Sequence, residues 1–228
     1  MKNPSSLTVP LETGAATSAL VYPAGGDLSA ALVLAHGAGA GQRSAFMVDF
    51  ASALSDGGLD VVTFNFPYSE QGRKIPDRAP VLEACYRSVI ATVEATVPSA
   101  RRALFIGGKS MGGRIATQVA AADPRLPIAG VVLLGYPLHP PGKPDQRRDK
   151  HLPAVGRPML FVQGTRDAFG TPAELMPIAG TLRPPAVLHP VAQGDHSFKL
   201  ARKDPTVQAE VYAAIQRTII AWIRAPAP

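Results

Sequence analysis

The stretch "GGKSMGGR", Gly107 to Arg114, decides the fold of this chain. It surrounds a Lys-Ser pair with glycines, and two unrelated kinds of site have that composition. A phosphate-binding loop requires G-x-x-x-x-G-K-[ST], and its first glycine would fall here on Ala103, inside the apolar run "ALFI". That run is predicted to be a strand, so no loop is left to surround a phosphate. The stretch therefore does not fit a phosphate-binding loop.

The second kind of site is a nucleophile elbow, G-x-S-x-G, and residues 108–112 match that pattern in full. Its context also fits, because a short apolar strand at 103–106 precedes it and apolar residues at helical spacing follow, among them Ile115 and Val119. The glycines have a steric reason, since larger side chains beside the strained turn would collide with the neighbouring strand and helix. The pattern predicts that Ser110 is a nucleophile.

Strands and helices alternate along the rest of the chain, which predicts a mostly parallel, twisted sheet with helices on both faces. Together with the elbow, this indicates an α/β-hydrolase fold without a large cap domain, formed by a single domain over residues 1–228. A proline-rich, charged excursion spans residues 137–156. The predicted strands are 18–22, 31–35, 60–66, 103–106, 128–135, 158–164 and 186–191; the predicted helices are 44–56, 80–97, one after residue 110, a short one near 171 and 206–225.

Composition narrows the class of protein. The chain has 228 residues, of which 46% are hydrophobic, enough to bury a core. Its longest apolar runs are far shorter than the roughly 20 residues needed to cross a bilayer. We find no secretory signal, and the single cysteine, Cys85, allows no internal disulfide, so we expect a cytoplasmic protein. The net charge of +6 is scattered and lacks interleaved aromatics, which argues against nucleic-acid binding.

Two further polar residues follow predicted strands in the order that an α/β-hydrolase requires, which is Ser, then Asp or Glu, then His. Asp167 lies just beyond the strand at 158–164, and His196 just beyond the last strand. In such a triad His196 would take the serine proton and Asp167 would fix the imidazole tautomer. Asp195 is an alternative acid, but neighbours in sequence usually point apart, so Asp167 is favoured.

Catalysis of this type also requires backbone N–H groups that bind a developing oxyanion. We expect one from Met111, the residue after the nucleophile, and one from Ala38 in the loop "LAHGAGAG". The candidate substrate-binding residues are Gly37, Gly39, Arg43 and Lys109. We expect Lys109→Ala to leave the chemistry in place. Histidine, cysteine and carboxylates do not occur at metal-ligand spacing, so we expect neither a metal nor another cofactor.

Basic residues near the predicted site suggest a substrate class. An anionic acyl substrate, such as a carboxylated ester, would suit a site with several cations nearby. The other interpretation, that most of these residues are solvated surface charges, stays open. The residues concerned are Arg43, Lys109, Arg114 and Arg166, which neighbour the site in sequence, and Lys143, Arg147 and Arg148 on the excursion.

Six motifs together resemble the small α/β-hydrolases of the dienelactone-hydrolase-like group: "HGAGAG", "NFPYSE", "GGKSMGGR", "GYPLHPPGKP", "QGTRDAFG" and "GDHSF". The similarity is greatest to the branch typified by testis-expressed protein thirty, and it extends from about Leu32 to the last helix. It implies a compact sheet without a lid, and Ser110, Asp167 and His196 as a triad. True dienelactone hydrolases use a cysteine nucleophile, so the serine argues for esterase-like chemistry.

These observations predict a serine hydrolase that acts on small esters or related acyl compounds through an acyl-enzyme. Its partner would be a small-molecule acyl substrate, and the oligomeric state is left open. Two alternatives remain. The first is a binding or scaffold protein with vestigial activity, because some relatives of this branch are subunits of chromatin-modifying assemblies. The second is an acyltransferase or peptidase that uses the same triad.

Overall fold

A single eight-stranded sheet organises the part of the chain that the computed structural model describes, residues 3–26, 28–201 and 204–225. The strand order is β1-β2-β4-β3-β5-β6-β7-β8. The first two pairings, β1 with β2 and β2 with β4, are antiparallel, and all the others are parallel. The strands are β1 Ser5–Pro10, β2 Ala16–Tyr22, β3 Ala31–Ala35, β4 Asp60–Phe64, β5 Leu104–Lys109, β6 Gly130–Leu134, β7 Met159–Gly164 and β8 Val187–Val191.

Helices cover both faces of this sheet. They are α1 Ala45–Asp56, α2 Pro67–Glu70, α3 Ala79–Thr96, α4 Met111–Ala122, α5 Pro172–Thr181 and α6 Pro205–Arg224, with short 3-10 turns at Pro98–Arg101 and Leu152–Ala154. Residues of α3, α4 and α5 share one buried cluster with one face of the strands, and residues of α1 and α6 share a second cluster with the other face. The α/β-hydrolase fold predicted from the sequence is confirmed.

Continuous apolar strands produce this two-sided core. In β3, Val33 belongs to the cluster under α3 and α4, while its neighbours Leu32 and Leu34 belong to the cluster under α1 and α6. All five residues of β3 are buried, as expected for a central strand covered on both faces. The strand bounds predicted for β3 match the structure.

The first strand was not predicted. In β1 only Val9 is buried, and the strand ends at Pro10, which cannot donate a ladder hydrogen bond. Such an edge strand lacks the apolar signal on which the other assignments rest. It pairs with β2 over six residue pairs, from Ser5 opposite Val21 to Pro10 opposite Ala16.

Connections at the carboxyl ends of the parallel strands differ in length, from the single residue Ser110 between β5 and α4 to residues 135–158 between β6 and β7. Between β6 and β7 the chain makes the proline-rich excursion, whose single regular element is the 3-10 turn at Leu152–Ala154, so no cap domain is inserted there. Without a cap, the carboxyl edge of the sheet is left open for a site.

Among the described residues no helix is both long and apolar enough to span a membrane.

The turn between β5 and α4 fixes the geometry of that edge. Ser110 has φ 52° and ψ −115°, a conformation that non-glycine residues rarely adopt. Its flanking glycines are packed against backbone: a Cβ on Gly108 would lie 2.5 Å from the Ala35 carbonyl oxygen, and so would a Cβ on Gly112. Real Cβ atoms do not approach so closely, so β3, β5 and α4 can pack in this way only around glycine.

We expect Gly112→Ala to destabilise the fold by about 3 kcal/mol or more, because its methyl group would have to displace the backbone of β3. Gly180→Ala is the matched control, since a Cβ there meets no atom within 4 Å and the residue lies in α5. It should be neutral or slightly stabilising. Urea unfolding of both variants measures this, and equal midpoints would show that the close packing at the elbow is not required.

Candidate active site

Ser110 and His196 meet at the carboxyl edge of the sheet. The serine follows β5 and is the N-cap residue of α4, and the histidine lies in the loop after β8. The His196 Nε2 lies 2.8 Å from the Ser110 Oγ. The two residues are 86 positions apart in sequence, and the parallel sheet brings them together.

Asp167 lies on the other side of the imidazole, in the loop after β7. Its carboxylate oxygens lie 2.8 Å and 3.0 Å from the His196 Nδ1. Because a carboxylate only accepts, Nδ1 carries the proton and Nε2 is left to accept the hydrogen of the Ser110 hydroxyl. Asp167 is 2% exposed. The three residues form a continuous chain of hydrogen bonds from a buried carboxylate to the serine oxygen.

Asp167 is held by donors that the sequence pattern did not reveal. The Gln163 Nε2 donates to the Asp167 Oδ2 at 2.8 Å and to the Gly170 carbonyl at 2.7 Å, and the Phe169 N–H donates to the Asp167 Oδ1 at 2.8 Å. The Gln163 Oε1 in turn accepts the Tyr136 N–H. Gln163 is fully buried near the end of the apolar strand β7. A polar residue inside such a strand was the sequence signal that could have indicated a buried hydrogen-bonding role.

Asp195 does not contact the imidazole of its neighbour through any hydrogen bond in the described residues. Its Oδ1 accepts the N–H groups of Ser197 and Lys199 at 2.7 Å and 2.9 Å, which closes the turn that carries His196. Of the two aspartates, Asp167 is the one whose carboxylate is hydrogen-bonded to the imidazole among the described residues.

The loop after β3 lies beside the serine. His36, fully buried, donates from Nδ1 to the Gly37 carbonyl at 2.8 Å and accepts the Phe66 N–H at Nε2, which fixes its tautomer. Burial lowers the pKa of His36, so the neutral form is favoured. His36 therefore braces the loop that carries Gly37 and Ala38.

A cavity of about 600 Å³ opens over Ser110. Of the candidate oxyanion donors, both Ala38 and Met111 line it, and Met111 as the first residue of α4 has a backbone N–H without a helical partner. The remaining lining residues are Gly37, Ala40, Ser44, Phe46, Met47, Pro76, Asp77, Ala79, Leu82, Lys109, Arg114, Pro137, Arg148, Phe169, His196 and Ser197.

The four candidate substrate contacts divide into two groups. Gly37 and Lys109 line the cavity, whereas Gly39 and Arg43 do not. Gly39 has φ 71° and its Cβ position faces open space, so it serves the turn of the loop, and Arg43 is exposed. Phe169, which was not predicted, lies against the imidazole of His196 with ring centroids 4.3 Å apart.

Lys109 makes a contact that the sequence did not reveal. Its side chain is buried, and Nζ donates to the carbonyl oxygen of His196 at 2.5 Å, with the rings of Phe46 and Phe198 6.0 Å and 5.8 Å away. The contact ties the end of β5 to the loop that carries His196. We therefore expect substitutions at Lys109 to disturb the position of the imidazole, in place of the neutral effect that the sequence predicted.

The basic residues that the sequence placed near the site fall into two groups, those that line the cavity and those that do not. Arg114 and Arg148 line the cavity together with Lys109. The other four are exposed and do not line it: Arg43, Lys143, Arg147 and Arg166. Within the described residues, no group of three or more His, Cys, Asp or Glu side chains is placed to hold a metal ion.

The sheet, the elbow and the absence of an inserted cap define a lidless α/β-hydrolase domain. The chain belongs to the alpha/beta hydrolase family, whose domain model matches residues 28–224.

Solved structures with the same fold include hydrolases and esterases. A serine hydrolase without a lid from Xanthomonas campestris is 21% identical, with a TM-score of 0.72, and the match covers 99% of this chain and 98% of that one. Dienelactone hydrolase from Anabaena variabilis is 19% identical, with a TM-score of 0.74 and complete coverage of both chains. An esterase from Pyrococcus furiosus is 14% identical, with a TM-score of 0.75 over 96% of this chain and 91% of that one.

Lys109 makes the stability of the fold depend on pH. Burial lowers its pKa from the ordinary 10.5 to about 8, although the charges of Asp167 and Asp195 partly offset this. Between about pH 8 and 10.5 the unfolded chain therefore binds more protons at this residue than the folded chain does. The resulting penalty, on the order of 3 kcal/mol, is complete below about pH 8 and is lost as the pH rises through this window.

We expect the stability of the wild type to rise relative to that of Lys109→Met between about pH 8 and 10. Comparing the two proteins removes the contribution of the other groups that titrate in this range. Urea unfolding at several pH values measures the difference in the free energy of unfolding. A difference that stays constant over this range would contradict the assigned environment of Lys109.

Proposed function

We propose that this protein is a serine hydrolase that cleaves small carboxylic esters or related acyl compounds through an acyl-enzyme on Ser110. The observation that carries the proposal is the position of the His196 ring, hydrogen-bonded to the Ser110 Oγ on one side and to the buried Asp167 carboxylate on the other. Membership of a hydrolase family and a fold shared with esterases support it.

In the proposed mechanism the Ser110 Oγ attacks the ester carbonyl while His196 Nε2 takes its proton. The imidazolium is stabilised by Asp167, which remains ionised. The carbonyl oxygen becomes an oxyanion that accepts hydrogen bonds from the backbone N–H groups of Ala38 and Met111. His196 then gives the proton to the leaving alcohol, and the acyl-enzyme forms. Water, deprotonated by His196, releases the acid and regenerates the serine.

The site itself favours small substrates. The cavity over Ser110 has a volume of about 600 Å³ and is walled by the loops at the carboxyl edge of the sheet, without a cap to enclose a long chain. We also propose that the protein lies in the testis-expressed-protein-thirty-like branch of the dienelactone-hydrolase-like group, on the strength of the six sequence motifs. Ser110 replaces the cysteine of true dienelactone hydrolases, which favours ester cleavage over that particular reaction.

Ser110→Ala should abolish burst release of alcohol from an activated ester, and the remaining rate should reflect only binding and the oxyanion donors. The expected loss in kcat is about 10⁵-fold or more. Stopped-flow measurement with 4-nitrophenyl acetate tests this, and urea unfolding of the variant checks that it is folded. Undiminished turnover in a folded Ser110→Ala protein would contradict the proposal, whereas no turnover by the folded wild type would favour a binding or scaffold role.

Asp167→Asn should lower kcat by about 10⁴-fold, because an amide beside Nδ1 favours the wrong imidazole tautomer. Asp195→Asn is the matched control: an asparagine there keeps an oxygen that can accept from Ser197 and Lys199, so the turn should persist. Steady-state kinetics on the same ester compare the two. If Asp195→Asn were the more damaging change, the assignment of the acid would be wrong.

The competing acyltransferase and peptidase functions share the acylation step with a hydrolase. A transferase differs in the acceptor of the acyl group, so alcohols or amines added at millimolar concentration would divert that group from water. A peptidase differs in the bond that it cleaves, so it would also release amine from a matched amide. Product analysis by mass spectrometry distinguishes these outcomes. For an ester hydrolase the free acid should remain the main product, and the amide should stay intact.

A further inference from the structure

We propose that Arg114 and Arg148 form an anion subsite in the cavity, and that the substrate is an ester carrying a carboxylate held by these two guanidinium groups. The inference rests on the proposed hydrolase function and adds a substrate class to it. It reduces the seven basic residues suggested by the sequence to two that the fold brings together at the nucleophile.

The position of Arg114 in the first turns of α4 keeps its backbone close to that of Ser110. It is four residues after Ser110, so it begins the next turn of α4 about one helical repeat away, and its N–H bonds back to the Ser110 carbonyl at 3.1 Å. Its side chain lines the cavity. Among the described residues, the Arg114 guanidinium has no hydrogen-bond or ion-pair partner of its own. A planar group with five donors is thus available in the cavity that Ser110 also lines.

Arg148 reaches the same cavity from the excursion between β6 and β7. Its backbone is fixed at two points: the N–H donates to the Leu138 carbonyl at 2.8 Å, and its carbonyl accepts the Tyr136 hydroxyl at 2.5 Å. Its guanidinium makes one long hydrogen bond, 3.4 Å from Nη1 to the Pro137 carbonyl. An anchored backbone with a weakly engaged guanidinium suits a residue that binds a ligand.

The two guanidinium groups are close enough to affect each other. Burial lowers the pKa of Arg148, and the neighbouring charge of Arg114 lowers it further. The same Arg114 charge, after burial, lowers the pKa of His151. Two like charges brought together without a counter-ion are unfavourable, and a bound carboxylate would relieve that repulsion through bidentate hydrogen bonds.

Acidic residues nearby do not neutralise this pair. Asp149 is engaged by Arg147, with Nη2 2.6 Å from Oδ2. Asp77, the carboxylate that lines the cavity, is paired with Arg73 at 2.7 Å. The Lys109 ammonium is committed to the His196 carbonyl. Arg114 and Arg148 therefore provide the uncompensated positive charge of the cavity.

Matched ester pairs test the substrate class. With the anion in the acyl part, mono(4-nitrophenyl) adipate is compared with 4-nitrophenyl hexanoate. With the anion in the alcohol part, 4-acetoxybenzoate is compared with 4-acetoxybenzamide. The readout is the ratio of kcat/KM for the anionic ester to that for its neutral match. We expect the wild type to prefer the anionic ester by about tenfold or more in at least one pair, and that pair locates the carboxylate.

Variants assign the preference to the two arginines. Arg114→Gln and Arg148→Gln each remove one charge and should lower the ratio about tenfold. Arg125→Gln, which removes the same charge from a side chain 94% exposed beyond the end of α4, should keep the wild-type ratio. A ratio near one in the wild type, or one that the two cavity variants leave unchanged, would overturn the subsite.

Failure of the subsite and failure of the hydrolase function give different results. The Ser110→Ala protein keeps the cavity, so calorimetric binding of mono(4-nitrophenyl) adipate to it reads the subsite without turnover. Weaker binding after adding Arg114→Gln or Arg148→Gln supports the subsite, and binding unchanged by both contradicts it. Failure of the proposed function would instead appear as no hydrolysis of the neutral esters by the wild type, or as hydrolysis that survives Ser110→Ala.

Discussion

The structure depends on one close packing of backbone against backbone, where β3, β5 and α4 meet at the elbow. A Cβ on Gly108 or Gly112 would lie 2.5 Å from the carbonyl oxygen of Ala35, so the three elements can approach only because both positions are glycine. This approach forces the intervening Ser110 to φ 52° and places its side chain above the sheet edge. It also brings the loop after β3, with Ala38, to the same side as the N-terminus of α4.

Buried polar contacts then bring the loops after β7 and β8 to the serine. Gln163 joins the backbone of Tyr136 and Gly170 to the Asp167 carboxylate, and Asp167 orients His196. Lys109, next to the elbow serine, donates a hydrogen bond from Nζ to the carbonyl oxygen of His196. Each group is satisfied by a partner from a different strand end, so the hydrogen-bond network and the parallel sheet stabilise one another.

The sequence predicted those features that depend on local pattern. Glycine spacing and strand-helix context predicted a sharp turn at Ser110. The order of polar residues at strand ends predicted that Asp167 and His196 would lie beside it, and the hydrogen-bond distances show this arrangement. Features set by tertiary packing were not accessible in this way. The role of Gln163 depends on three elements converging, and β1, with a single buried residue, has no distinct apolar pattern.

The same limit applies to the charges: seven basic residues looked equivalent in sequence, and the fold separates Arg114 and Arg148 from the exposed four. Cys85, the other conceivable nucleophile, is buried, and burial raises its pKa to about 12.

The central claim is that Ser110 is acylated during turnover. Its most direct test is peptide mass spectrometry after a brief incubation with 4-nitrophenyl acetate and an acid quench. Our account predicts an acetyl group on Ser110 that is absent from the His196→Gln protein. Acetylation at another residue, or none during active turnover, would contradict it.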